Sequence, residues 1–184
     1  YGRGSLHMHV KAKKMALGGL LLALTVICMA LGSVIESGTL FLLAAASFFV
    51  GIIFREFGGK TGAAFYAAGV LLGAILAPNK FYVVTYAAMA AYILAVEIVW
   101  ELLGGWNADV KKKKRIFLAV KYAVFNVIYL PAVLFFQELL FGKILPLWMM
   151  AGILLAGQAA LFFYDCAYEY VQRELWGKVR GRFL

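Results

Sequence analysis

Histidine is nearly absent from this chain, and cysteine, proline and acidic residues are scarce. Both histidines, His7 and His9, lie in residues 1–10, YGRGSLHMHV, which we interpret as a vector-derived tag. Without histidine elsewhere, imidazole catalysis and most metal sites are excluded, and we expect no metal and no cofactor. Cys28 and Cys166 stand far apart in apolar sequence, with no CxxC spacing, which predicts packing residues.

Charge is also scarce: 15% of the residues are charged, 65% are hydrophobic, and the mean hydropathy is +0.88. A soluble domain of 184 residues could not bury so much apolar surface. The apolar runs are continuous, which favours helices over barrel strands, and roughly 20 residues of helix span a bilayer core. We predict an all-α integral membrane protein, a single six-transmembrane-helix bundle over residues 11–184. Its helices are predicted near 15–35, 39–54, 62–78, 81–103, 116–141 and 144–168.

Basic residues concentrate on one side of this predicted bundle. With six spans, the termini and the loops after helices 2 and 4 share a side, which includes the run Lys111–Arg115. The opposite loops contain Lys80 and Lys143. The positive-inside rule therefore predicts that both termini are cytoplasmic. Anionic lipid or an acidic partner protein would each suit the KKKKR run, whereas nucleic-acid binding would need a soluble basic face with stacking aromatics.

Gly59-Lys60-Thr61 looks like the end of a nucleotide-binding P-loop. The full motif needs a glycine five residues before its last glycine, and this chain has Phe54 there. It also needs a preceding buried strand, whereas the sequence before it reads as a membrane helix. We interpret the stretch as a short polar turn.

Small residues recur along one face of helix 1, at Ala16, Gly19 and Ala23. The Gly19-x-x-x-Ala23 spacing is typical of faces that another helix approaches closely in lipid. The partner helix could belong to the same chain or to another protein, and the sequence leaves both open.

Polar side chains within the membrane cluster in the C-terminal half. Asn126, Tyr129 and Gln137 share one face of helix 5, and Gln158 lies on helix 6. Polar groups within a membrane are costly, so they mark either a site or interhelical hydrogen bonds. Trp148 could likewise belong to an interfacial belt or to a pocket wall.

Two charges are predicted to lie at a similar depth, Glu97 on helix 4 and Lys121 on helix 5. An ion pair between them would neutralise both, and we expect a structural role for it. Asp165 on helix 6 is an alternative partner for Lys121.

Four features of the sequence point to one family: the opening KKMALGGLLLALTVICMALGS, the turn REFGGKTGA, the six spans and the polar second half. In these features the chain is similar to the substrate-binding S component of energy-coupling factor (ECF) vitamin transporters. The resemblance implies a small, vitamin-like solute bound near the outer face between helices 4 to 6. The substrate-binding residues that it implies are Asn79, Tyr86, Asn126, Tyr129, Gln137, Trp148 and Gln158. It also implies that Ala16, Gly19 and Ala23 contact a transmembrane coupling protein, while separate ATPase subunits supply the energy. The location implied is the bacterial cell membrane.

Two other classes of function were compared with this interpretation. A non-catalytic membrane scaffold resembling the rod-shape protein MreD would have the same helix count and charge bias, with stable partners and no solute. An enzyme is not expected, because Glu97, Glu101 and Asp165 do not lie in the GxGD-like context of intramembrane aspartyl proteases.

Overall fold

The computed structural model describes residues 3–35, 38–107, 109–135 and 146–183, and the side chains of 12–35, 38–107, 109–135 and 146–181. The described chain is helical and contains no strand within these ranges. The helices are α1 (Arg3–Gly32), α2 (Thr39–Phe57), α3 (Gly59–Leu76), α4 (Lys80–Gly104), α5 (Val110–Phe135) and α6 (Leu147–Tyr170), followed by a π-helical segment (Val171–Trp176) and a short α7 (Gly177–Phe183).

Six helices in the described ranges are long and apolar enough to cross a membrane, which confirms the predicted number and class of elements. Several of their ends differ from prediction. α5 begins at Val110, six residues before the predicted start at residue 116, so the run Lys111–Arg115 lies on the helix and not in a loop. α2 continues to Phe57, one turn beyond the predicted end at residue 54. The last span runs without a break from Leu147 to Gly181, well past the predicted end at residue 168.

The chain divides into two compact units. The first comprises Tyr1–Ile98 and Val171–Leu184, and the second comprises Val99–Tyr170. The C-terminal segment therefore packs with the N-terminal helices although it continues the last helix of the second unit.

In the first unit α1, α2 and α3 pack against one another. Gly58, with φ of 87°, connects α2 to α3 in one residue, a left-handed conformation that glycine adopts without strain. The two helices are close where Gly62 faces Phe54, because a Cβ at Gly62 would lie 2.9 Å from the Phe54 Cβ. The core includes Met29, Leu43 and Ile53.

The α2–α3 turn also answers the question raised by Gly59-Lys60-Thr61. A helix, not a strand, precedes these residues, and all three lie in the first turn of α3. The Thr61 hydroxyl donates to the Phe57 carbonyl at 3.1 Å, within the turn itself. The backbone here follows a helix–turn–helix path and does not form the wide phosphate-binding loop.

In the second unit α5 packs against α6. Pro131 lies inside α5 and supplies no backbone N–H there, a loss that membrane helices tolerate. Gly157 of α6 is buried against the ring of Tyr129, and a Cβ at this position would overlap the ring atoms. The glycine therefore sets how closely the two helices approach.

Candidate functional site

A row of polar contacts joins α5 to α6 in the second unit, and we call it the polar row. Lys121 of α5 contacts Asp165 of α6, at what we call the lower end of the row. Further along α5, Asn126 contacts Gln158, and Tyr129 contacts the Ile153 carbonyl at the upper end. The α6 residue numbers fall as the α5 numbers rise, so the two helices are antiparallel. The sequence predicted the polar faces, and the structure brings them together.

The centre of the polar row is a pair of amides. Gln158 Nε2 donates to Asn126 Oδ1 at 2.8 Å, and Asn126 Nδ2 donates to the Tyr122 carbonyl at 2.8 Å. The return contact from Asn126 Nδ2 to Gln158 Oε1 is long, at 3.4 Å. Each amide has two donor hydrogens and two acceptor lone pairs, so this pair leaves hydrogen-bonding capacity at Gln158 unused among the described residues.

The lower end of the polar row is charged. Lys121 Nζ lies 2.9 and 2.7 Å from the two carboxylate oxygens of Asp165, and 4.0 Å from Glu169 Oε1. It also lies 4.4 Å from the centre of the Phe117 ring. The Lys121 side chain is buried, so the carboxylates and the ring replace the water that a lysine normally keeps.

Lys121 therefore pairs with the alternative partner that the sequence offered, Asp165, and the predicted Glu97–Lys121 pair is wrong. Glu97 instead binds Arg55 of α2, whose Nη2 lies 2.6 Å from Oε1 and whose Nε lies 2.9 Å from each carboxylate oxygen. The physical reason is the extra turn of α2. It places Arg55 on a helix beside α4, whereas a helix that ended at residue 54, as predicted, would leave Arg55 in a loop.

Tyr129 and Tyr86 occupy different surroundings. Tyr129 Oη donates to the Ile153 carbonyl at 2.7 Å and closes the upper end of the polar row. Tyr86 lies in the first unit, fully buried, with its ring against Gly69 of α3. Its hydroxyl has no hydrogen-bond partner among the described residues. Tyr86, Ala90, Ile93 and Glu97 are all buried and together form the buried face of α4.

The other predicted site residues lie at helix ends. Asn79 is exposed and accepts a hydrogen bond from the Phe81 backbone N–H at 2.9 Å, which caps the start of α4. Trp148 is 74% exposed near the start of α6, which fits an interfacial belt better than a pocket wall. Gln137 lies outside the described residues.

The small-residue face of α1 is exposed within the described part of the first unit. Ala16, Gly19 and Ala23 are exposed, whereas Leu17, Leu21 and other members of the neighbouring face are buried in the core. A Cβ at Gly19 would have no atom within 4 Å. Within the described part of the first unit, Gly19 therefore makes no close helix contact.

Sequence reasoning missed a second cluster, which we call the Glu56 clamp. Glu56, the residue after Arg55, accepts from Trp176 Nε1 at 2.9 Å and lies 3.1 Å from Arg180 Nε. Its side chain is 7% exposed. These contacts attach the C-terminal segment to the end of α2. The cluster was missed because the last helix was predicted to end at residue 168. Its continuation to Gly181 brings Trp176 and Arg180 to this end of α2.

The comparisons with known proteins return no relative: no family model, no curated protein and no solved structure matches the chain. The part of the chain that the structure describes is all-helical, and its six helices that are long and apolar enough to cross a membrane indicate a multi-pass membrane protein.

Proposed function

We propose that this chain is the solute-binding subunit of a multi-subunit uptake transporter of the ECF type in the bacterial cell membrane, with both termini cytoplasmic. It binds a small, vitamin-like solute in its C-terminal half and docks on a membrane partner through α1. Separate ATPase subunits supply the energy, and the chain itself carries out no covalent chemistry.

The outward face of α1 is the main support for this proposal. A helix that only packs within its own bundle turns its small residues inward, where close approach is useful. Here Ala16, Gly19 and Ala23 are exposed, and the large residues Leu17 and Leu21 face the core. An exposed groove of small residues suits the close approach of a helix from another membrane protein.

The polar row supports the solute-binding half of the proposal. Asn126 and Gln158 are half-buried and oriented by each other and by the Tyr122 carbonyl, so their positions are fixed before any solute arrives. Gln158 keeps donor and acceptor capacity that a polar solute could use. A solute would thus exchange hydrogen bonds with a preformed amide pair, and movement of the bundle on its partner would release it.

Native mass spectrometry of the detergent-purified protein tests this function. We expect a reproducible adduct of a few hundred daltons that is lost in Asn126→Ala and in Gln158→Ala. Asn107→Ala is the matched control, because this amide is exposed between α4 and α5 and should keep the adduct. An adduct retained equally by all three variants would contradict the assignment of the site.

A non-catalytic scaffold resembling MreD is the second candidate, and one observation favours it. The members of the polar row hydrogen-bond one another, which is what a purely structural joint between α5 and α6 requires. On this interpretation the wild-type protein carries no adduct, and Asn126→Ala lowers stability without changing the bound mass. Purification with stable partner proteins but no solute would then favour the scaffold.

A further inference from the structure

Five consecutive cations stand at the start of α5, and we call Lys111–Arg115 the basic collar. α5 begins at Val110, and the Lys113 backbone N–H donates to the Asp109 carbonyl at 2.9 Å, so the collar lies within the helix. The apolar part of the helix begins directly afterwards, at Ile116. The collar therefore sits where the span of α5 begins.

The collar surrounds the helix. Successive residues of an α-helix are rotated by about 100°, so five residues in a row cover the full circumference. Lys111, Lys112, Lys114 and Arg115 are exposed, and Lys113 is half-buried. The collar forms no ion pair with any residue that the structure describes, and Lys112 lies 5.8 Å from the centre of the Trp106 ring.

Nothing in α5 itself favours this concentration of charge. The first turn contains no acidic residue, and cations at the N-terminal end of a helix oppose its dipole. Adjacent lysines also repel one another. The arrangement becomes favourable when anions from outside the chain surround it.

We propose that the basic collar binds the headgroups of anionic phospholipids on every side of α5 that the chain leaves exposed. A folded acidic protein would cover one of these sides and leave the other cations unpaired, whereas a layer of headgroups meets all of them. The position at the beginning of an apolar span fits this ligand, because lysine stems follow the helix while their ammonium groups reach the phosphates. Trp106, three residues before Asp109, is the kind of side chain that lies at the same interface.

The first experiment compares lipid retention by native mass spectrometry. The full chain is equilibrated with mixed micelles that contain equal amounts of phosphatidylglycerol and phosphatidylcholine. The collar variant is Lys111→Gln/Lys112→Gln/Lys114→Gln. The matched control is Lys13→Gln/Lys60→Gln/Lys178→Gln, which removes the same charge at other exposed lysines. Thermal unfolding of each variant checks that the fold is retained.

The wild-type chain should retain more phosphatidylglycerol than phosphatidylcholine. The ratio of the two retained lipids should be at least about tenfold lower for the collar variant. A lysine near an anionic surface contributes roughly a fivefold change in binding, so three of them exceed this value. The three control lysines lie on three separate helices, so each local lipid contact loses a single cation, and the control should change the preference by no more than about fivefold. Equal losses in both variants, or no preference in the wild type, would overturn the proposal. So would an acidic protein bound to the wild-type collar in place of lipid.

A second measurement locates the lipid. In Trp100→Phe/Trp148→Phe/Trp176→Phe, Trp106 is the remaining tryptophan, beside Lys112. Brominated phosphatidylglycerol in reconstituted vesicles should quench its fluorescence more strongly than brominated phosphatidylcholine at the same mole fraction. The difference should shrink with added salt, since salt screens exposed charges. Equal quenching by the two lipids would contradict the proposed position.

Discussion

Arg55 on α2 and Glu97 on α4 form a two-point ion pair, in which the guanidinium Nε and Nη2 both reach the carboxylate at 2.6–2.9 Å. The two side chains are unequally buried, at 3% exposure for Glu97 and 33% for Arg55. The pair ties α2 to α4 within the first unit, and this inequality determines how each partner responds to substitution.

Arg55→Gln should destabilise the protein more than Glu97→Gln. The first change leaves a buried carboxylate without its two-point partner and should cost about 3 kcal/mol. The second leaves a guanidinium that can still reach water and should cost roughly 1–2 kcal/mol. Denaturant titration in mild detergent would measure both free energies. The double variant Arg55→Met/Glu97→Met should recover part of the loss, and a result in which Glu97→Gln is the worse change would contradict this account.

Gly157→Ala should force α5 and α6 apart, because the added Cβ would overlap the Tyr129 ring. Overpacking of this kind typically costs about 1–3 kcal/mol. Gly152→Ala is the matched control on the same helix, because a Cβ at Gly152 would have no atom within 4 Å. Alanine has a higher helix propensity than glycine, so this change should leave stability unchanged or slightly raised. Unfolding midpoints in detergent distinguish the two. Adding Tyr129→Ala to Gly157→Ala should remove the clash, and no recovery there would mean that the strain lies elsewhere.

The number, type and approximate position of the spans could be predicted from the sequence, because hydropathy alone encodes them. The polar faces of helices 5 and 6 were also predictable from their helical spacing, and so was Asp165 as a possible partner of Lys121. What failed was a helix boundary. One extra turn on α2 moves Arg55 from a loop onto a helix, and a shift of that size is enough to exchange one buried ion pair for another.

The direction in which a helical face points was the second limit. Periodicity showed that Ala16, Gly19 and Ala23 share a face, but the packing of α1 on α2 and α3 decides whether that face lies in the core of the first unit or on its surface. Tyr86 shows the same limit, but here the side chain lies in the core and not on the surface. Its polar group suggested an open site, whereas the glycine at residue 69 makes room for its ring in the core.

The Glu56 clamp predicts a protease-sensitive C-terminus when it is broken. Glu56→Ala removes the acceptor for Trp176 and the charge that faces Arg180, so the C-terminal segment should detach more often from α2. Trypsin cleavage within residues 173–182 should accelerate by about tenfold, because cleavage follows the population of the open form. Glu174→Gln is the control, since it breaks the exposed Lys178–Glu174 pair, which is worth a few tenths of a kcal/mol. Equal cleavage rates in the two variants would exclude a clamp.

Substitution at Gly19 separates a docking face from a lipid-facing one. No atom lies within 4 Å of a Cβ there, so Gly19→Ala and Gly19→Leu should both leave the unfolding midpoint of the isolated chain nearly unchanged. Their effects on assembly should differ, because close helix approach tolerates a methyl group but not an isobutyl group. The tagged chain is purified from its own cells, and the membrane protein and ATPase subunits that the proposed function requires are quantified in the purified material. The amount of complex recovered with Gly19→Leu should be at least about tenfold lower than with the wild type, whereas Gly19→Ala should keep most of it. Equal recovery of the complex with both variants would place lipid, not a partner helix, on this face of α1.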